Sequence, residues 1–209
     1  LFPVGAIPEL SEGAVEPEGD YVYVPLDFLS RLRGAANGAG DSTREWMIHD
    51  ARYRVLFEWD LAEEHLLAKE LVAEYQLRTF RNNVRVILPF VQEQVYLLPN
   101  RAQLDGEPAS VTWEPSGSGL MVECPRSGNR QLKLAFRPRT DSSDGLSEFN
   151  VAIPPVPNAR LSLQLPAEAM GVQCPTALGR TRLDEQTGER IVQLGPTGRL
   201  AARWFDDPY

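Results

Sequence analysis

The stretch Ala51–Phe80, ARYRVLFEWDLAEEHLLAKELVAEYQLRTF, decides the fold, because its two halves favour different secondary structures. In the first half Tyr53, Val55, Phe57, Trp59 and Leu61 fall on one face of a period of two, with Arg52, Arg54, Glu58 and Asp60 opposite. Such alternation marks a half-buried strand. The second half is rich in Ala, Glu and Leu, and it sets Leu67, Leu71 and Tyr75 at helical i, i+4 spacing. Taken with period two, however, Leu71, Ala73, Tyr75 and Leu77 share one face while Glu70, Glu74 and Gln76 share the other. The neighbouring segments are strands, and a turn at LAEEH folds the segment back on its predecessor. A strand from about Leu67 is therefore expected, not a helix.

Beyond it the punctuation is regular. VRVILP and QVYLLP are expected strands, and the Asp105-Gly106 pair that follows is a strong hairpin-turn signal. SVTWEP and LMVECP flank a turn at PSGSG. QLKLAFRP carries Leu132, Leu134 and Phe136 on one face, DSSDG turns, and EFNVAIP aligns Phe149, Val151 and Ile153. ARLSLQLP, GVQCP, ERIVQLG and RLAARWF continue the pattern to the end of the chain. Short strands separated by Gly, Asp, Ser and Pro predict an all-β fold: an antiparallel β-sandwich, with jelly-roll and immunoglobulin-like arrangements both open. Pro154 and Pro157 make a P-x-x-P, but the flanks alternate as strands on both sides. Proline cannot donate to a ladder, so the cluster is expected at a corner where the chain leaves one strand and enters the next.

Upstream, residues 1–19 hold three prolines and read as a loosely held arm. The sandwich is assigned to residues 20–209, with a candidate subdivision near 154–158. DYVYVP reads as a strand, and PLDFLSRLRG as one short helix that Pro25 opens and Gly34 ends. The chain has 209 residues, ample for a core, and a net charge of −8, which disfavours nucleic acid and anionic membrane surfaces. No apolar run approaches the ~18 residues of a membrane span, so no membrane insertion of this segment is expected. Because the chain starts at Leu1 without a methionine or a signal-peptide pattern, it is expected to be a piece of a longer protein.

The order of these signals resembles a sandwich module that recurs in large secreted or envelope proteins of planctomycete-like bacteria. The resemblance runs from VYVP and the short helix through DARY, VRVILP, AQLDGEPASVTW and LKLAFRP to FNVAIPPVPNARLSLQLP and LGPTGRLAARW, about Tyr21 to Trp204. It implies an extracytoplasmic location (secreted, periplasmic or cell envelope) and a larger parent protein. Its motifs are structural, not catalytic.

The chain carries no complete catalytic constellation. GDST, Gly40–Thr43, looks like the nucleophile block of an esterase family, but no apolar strand precedes Ser42. Neither His49 nor His65 carries the aspartate three residues upstream that would supply the base, since Trp46 and Ala62 stand there. A serine without a positioned base is not activated. Two distant histidines and two Cys-Pro pairs match no zinc spacing, and DSSDG, with Asp141 and Asp144, lacks the alternating ligands of a calcium loop. No metal, no cofactor and no catalytic residue is therefore assigned. Trp59 and Trp113 run in phase with apolar neighbours and are expected in the core, as are Trp46 and Trp204, although exposed tryptophans in a sandwich would suit sugars. Cys124 and Cys174 each follow a valine in phase, so both thiols are expected to point inward. A bridge between them would close a loop of about 50 residues and stabilise by ~4 kcal/mol on the chain-entropy model; two separate buried thiols are the alternative.

These observations lead to the expectation of a non-catalytic module of a larger secreted or envelope protein, serving assembly or contacts with other domains of that protein. A carbohydrate-binding sandwich is the alternative.

Overall fold

The computed structural model describes residues 45–60, 65–143, 145–166 and 171–205. The expected arm, the short helix at Pro25–Gly34 and Ser42 lie outside the described residues. The described strands, in chain order, are β1 (Trp46–Asp60), β2 (His65–Thr79), β3 (Val84–Leu88), β4 (Val95–Leu97), β5 (Gln103–Leu104), β6 (Glu107–Pro108), β7 (Val111–Trp113) and β8 (Leu120–Cys124). They continue as β9 (Gly128–Pro138), β10 (Asp141–Ser143), β11 (Leu146–Ala152), β12 (Ala159–Gln164), β13 (Leu178–Leu183), β14 (Arg190–Gln193) and β15 (Arg199–Phe205). The fold is all-β and sandwich-like, as the periodicity predicts. No helix long and apolar enough to cross a membrane is present among the described residues.

The segment from His65 to Thr79 is a strand, paired with β1 along its length and with β9 from Leu71 to Thr79. Its helical composition yields to this placement, because from Leu71 on both rows of backbone donors and acceptors are taken by neighbours and one face is buried. Two bulges shape the β1–β2 pair. Leu56 and Phe57 face Glu70 and Ala68, so Lys69 is an extra residue; Ile48 and Asp50 face Leu77 and Gln76, which leaves His49 extra. Each extra residue reverses the pleat. Thus Leu66 and Ala68 are buried before Lys69, and Leu71, Ala73, Tyr75 and Leu77 after it. Leu67, which the helical spacing had joined to Leu71 and Tyr75, is only half-buried.

A nine-stranded sheet runs β13–β14–β12–β1–β2–β9–β5–β6, with β4 also on β9, and two three-stranded sheets run β3–β8–β7 and β10–β11–β15. Side chains of all three sheets meet in one core, including Tyr53, Tyr75 and Phe136 from the large sheet, Val86 and Val122 from one small sheet, and Phe149 and Trp204 from the other. Aromatic contacts tie the layers together. Phe57 on β1 meets Trp204 on β15 edge-to-face at 5.1 Å, and Trp204 Nε1 donates to the carbonyl oxygen of Leu66 at 2.8 Å. Phe90 stacks at 4.4 Å on Phe136 of β9.

The proline cluster is the corner the sequence predicts. It takes the chain from β11 in a small sheet to β12 in the large one, with Ile153, Pro154 and Val156 buried and Pro155 and Pro157 exposed. Because the chain enters the large sheet from another layer, β12 pairs parallel to β1, Ala51 beside Ala159 through Leu56 beside Gln164. The entry is held by Asp50: its Oδ2 accepts from Asn158 Nδ2 at 2.6 Å, and the Ala51 amide donates to the Asn158 carbonyl at 3.2 Å. This parallel pair departs from an otherwise antiparallel arrangement.

Three local expectations differ. GVQCP forms only one bridge, Gln173 with Arg203, and no strand, because the turn at Cys174–Ala177 interrupts it. Leu178–Leu183 forms the edge strand β13, although its residues are exposed on both faces and so carry no period-two signal. Asp141–Ser143, expected as a turn, pairs with β11. The Asp105-Gly106 turn is as predicted: both residues have positive φ, 55° and 86°, and they join β5 to β6.

Candidate functional site

At the His65 end of β2 and the Asp60 end of β1, the outer surface holds a groove of about 1020 Å³. Its walls come from β1 (Glu58–Asp60), β2 (Leu67–Lys69), Tyr96 on β4, and the exit of β9 through Arg137 to Asp141. Strand alternation builds it. Val95 points into the core, so Tyr96 faces out, and its cross-strand partner on β9 is Arg137. Arg139 follows Pro138, and its amide donates to the Gln94 carbonyl at 2.8 Å. That anchor sets the Arg139 guanidinium over the Tyr96 ring, 4.2 Å from its centre. Lys69 is turned outward by its own bulge and pairs with Glu58. Trp59 forms part of the wall and also lines a smaller cleft of about 390 Å³ with Leu165 and Pro166.

The candidate residues named from sequence do not converge here. Cys124 and Cys174 are both free thiols. Cys124 closes β8, fully buried in the sheet β3–β8–β7, whereas Cys174 sits beside β15 and donates to the Ala201 carbonyl at 3.2 Å. Burial pushes the Cys124 thiol up and the Cys174 thiol up to about 11. Burial likewise raises both phenols of the core pair Tyr53 and Tyr75, whose rings meet edge-on at 5.9 Å. Trp204 is fully buried, and Trp46, Trp59 and Trp113 are partly buried against the core. His49 is exposed at its bulge and His65 is half-buried at the start of β2. Asp141 reaches the groove, and Asp144 lies outside the described residues. Among the described residues no group of three or more His, Cys, Asp and Glu side chains is placed to hold a metal ion. The groove itself was missed in the sequence. Tyr96 on β4 and Arg137 and Arg139 at the end of β9 and just beyond it lie about forty residues apart, and the only available signal was that Tyr96 stands between two inward apolar residues.

No family model matches the chain, and no curated protein matches it. Solved structures of similar fold are found. Yeast LTA4 hydrolase aligns with 78% of this chain and 29% of its own length, at 11% identity and a TM-score of 0.50. An M1 zinc metallopeptidase from Deinococcus radiodurans aligns with 77% of this chain and 42% of its own, at 13% identity and a TM-score of 0.46. Legionella pneumophila aminopeptidase A, solved with aspartic acid, aligns with 78% and 22%, at 8% identity and a TM-score of 0.47. The chain thus spans well under half of each. Identity at this level concerns the fold alone, and of these three the yeast hydrolase aligns best, at a TM-score of 0.50.

The comparison corrects the expected role. The sequence leads to the expectation of a non-catalytic module of a larger secreted or envelope protein serving assembly or protein contacts, with a carbohydrate-binding sandwich as the alternative. The solved chain that shares this fold at a TM-score of 0.50 is instead a hydrolase, of which this chain spans 29%. The tryptophans lie where the spacing predicts, Trp204 1% exposed and Trp46, Trp59 and Trp113 partly buried against the core, which leaves the carbohydrate alternative without the exposed aromatic platform it needs among the described residues.

Proposed function

We propose that this chain is the all-β part of a peptidase-related protein, whose hydrolytic centre is furnished by other parts of that protein and whose β-part contributes a surface to peptide binding. The observation that carries this is the shared fold with yeast LTA4 hydrolase over 78% of the chain, which accounts for only 29% of the hydrolase. A hydrolytic zinc site needs three protein ligands and an open position. In this proposal those ligands belong to a further unit, and the isolated 209-residue chain turns over no substrate. The partners are other domains of the same protein, and the extracytoplasmic location implied by the planctomycete-type resemblance is retained as part of the proposal.

The test is to express the complete reading frame containing this chain and to assay aminoacyl reporters with and without a chelator. Chelator-sensitive release by the complete protein, and none by the isolated chain, supports the proposal. A complete protein that binds no zinc and releases no amino acid overturns it.

A further inference from the structure

We infer that the groove beside Tyr96 is a carboxylate-recognition site, and that its ligand is a peptide carrying a carboxylate next to an apolar side chain. Carboxylate recognition rests on the groove alone; the choice of a peptide as the bearer rests on the peptidase-related proposal.

Three observations carry it. First, Arg137 and Arg139 form no ion pair among the described residues, in a protein whose net charge is −8, whereas Arg101 and Lys133 beside them are paired with Glu70 and Glu74. Lys69, the third cation of the groove, is neutralised by Glu58, and Asp60 has a partner of its own. Asp141, exposed at the same lip, is then a single carboxylate in a groove with two guanidinium groups, and it pairs with neither. Second, Arg139 is already ordered. Its backbone is tied to Gln94 and its guanidinium lies over Tyr96, so less side-chain entropy is lost when it binds. A guanidinium held over an aromatic ring retains N–H groups that can engage the two oxygens of a carboxylate. Third, the same groove supplies an apolar wall from Trp59 and Leu67, and its volume of about 1020 Å³ matches the upper end of ~300–1,000 Å³ for small-ligand sites. The groove therefore offers two neighbouring demands, a negative charge at Arg137 and Arg139 and an apolar group at Trp59.

The test uses the 209-residue chain and four blocked dipeptides, measured by calorimetry and by tryptophan emission. Acetyl-Phe-Glu-amide carries a side-chain carboxylate, acetyl-Phe-Gln with a free C-terminus carries a terminal one, acetyl-Phe-Gln-amide carries none, and acetyl-Gly-Glu-amide lacks the apolar group. At least one of the first two is expected to bind about tenfold or more tightly than the uncharged peptide, and their ranking tells side-chain from terminal recognition. Arg139→Gln is expected to remove that preference while leaving the circular dichroism unchanged, Arg137→Gln to reduce it, and Trp59→Phe to abolish the emission change. Glutarate ion alone is the control that separates the two proposals. If glutarate competes at wild-type Arg139 but not in R139Q, and no peptide exceeds it, the carboxylate site stands and the peptide assignment falls. Equal affinity for charged and uncharged peptides, with no effect of glutarate, overturns the site itself.

Discussion

Replacing Trp204 by phenylalanine tests how the sheets are joined. Trp204 is 1% exposed, contacts Phe57 edge-to-face at 5.1 Å and Phe149 at 6.2 Å, and donates its indole N–H to the Leu66 carbonyl at 2.8 Å. Phenylalanine keeps an aromatic ring but has no donor, so the carbonyl loses its indole partner in a buried place, at ~1–3 kcal/mol. The smaller ring also leaves unfilled volume among packed neighbours, which adds ~1 kcal/mol. The expected loss for Trp204→Phe is therefore ~2–4 kcal/mol, and with an m-value of ~2 kcal/mol/M the urea midpoint falls by about 1–2 M. Trp204→Ala adds a large cavity, ~3–5 kcal/mol, to the unpaired carbonyl and approaches the whole stability of a typical domain. The assay is urea unfolding followed by far-ultraviolet circular dichroism, with Trp113→Phe, at a half-buried position, as the comparison. A midpoint for W204F within experimental error of wild type would refute the claim that this indole joins β15 to β2.

Asp50→Ala removes the acceptor that holds Asn158 where β12 enters beside β1, and the loss of a hydrogen bond to a charged group is expected to cost ~1.5–3 kcal/mol in the same unfolding experiment. At alkaline pH the direction follows from the raised thiols. Cys174 moves from 9.0 to about 11, so its contribution is complete below pH 9 and is lost as pH rises through 11, because the unfolded chain ionises first. Cys174→Ser keeps a donor for Ala201 and does not ionise there, so the fall in urea midpoint over that interval is expected to shrink. It does not vanish, since Cys124, Tyr53 and Tyr75 shift the same way. Two thiols are expected to titrate in denaturant without reductant, and fewer than two would contradict the free cysteines of the structure.

Much of the fold was legible because a strand with one buried face writes its burial at every second residue. Tyr53, Val55 and Phe57, Leu132, Leu134 and Phe136, and Phe149 and Val151 lie inside as their spacing predicts. Where both faces are exposed, as in Leu178–Leu183, the pattern is empty and the strand was missed. The helical spacing of Leu67, Leu71 and Tyr75 was a local ambiguity. It was resolved by the neighbours β1 and β9, and the bulge at Lys69 is what moves Leu66 and Ala68 into the core in place of Leu67.

By itself, then, the sequence determined an all-β chain, its turn at Asp105-Gly106 and its proline corner, since alternation, positive-φ residues and missing amide donors act locally. Tertiary structure alone decided that β12 lies parallel to β1, that the two cysteines are free in separate places, and that Tyr96, Arg137 and Arg139 meet in one groove. The physical reason is the same for all three: each depends on which strand lies beside which, a long-range pairing that no local period encodes.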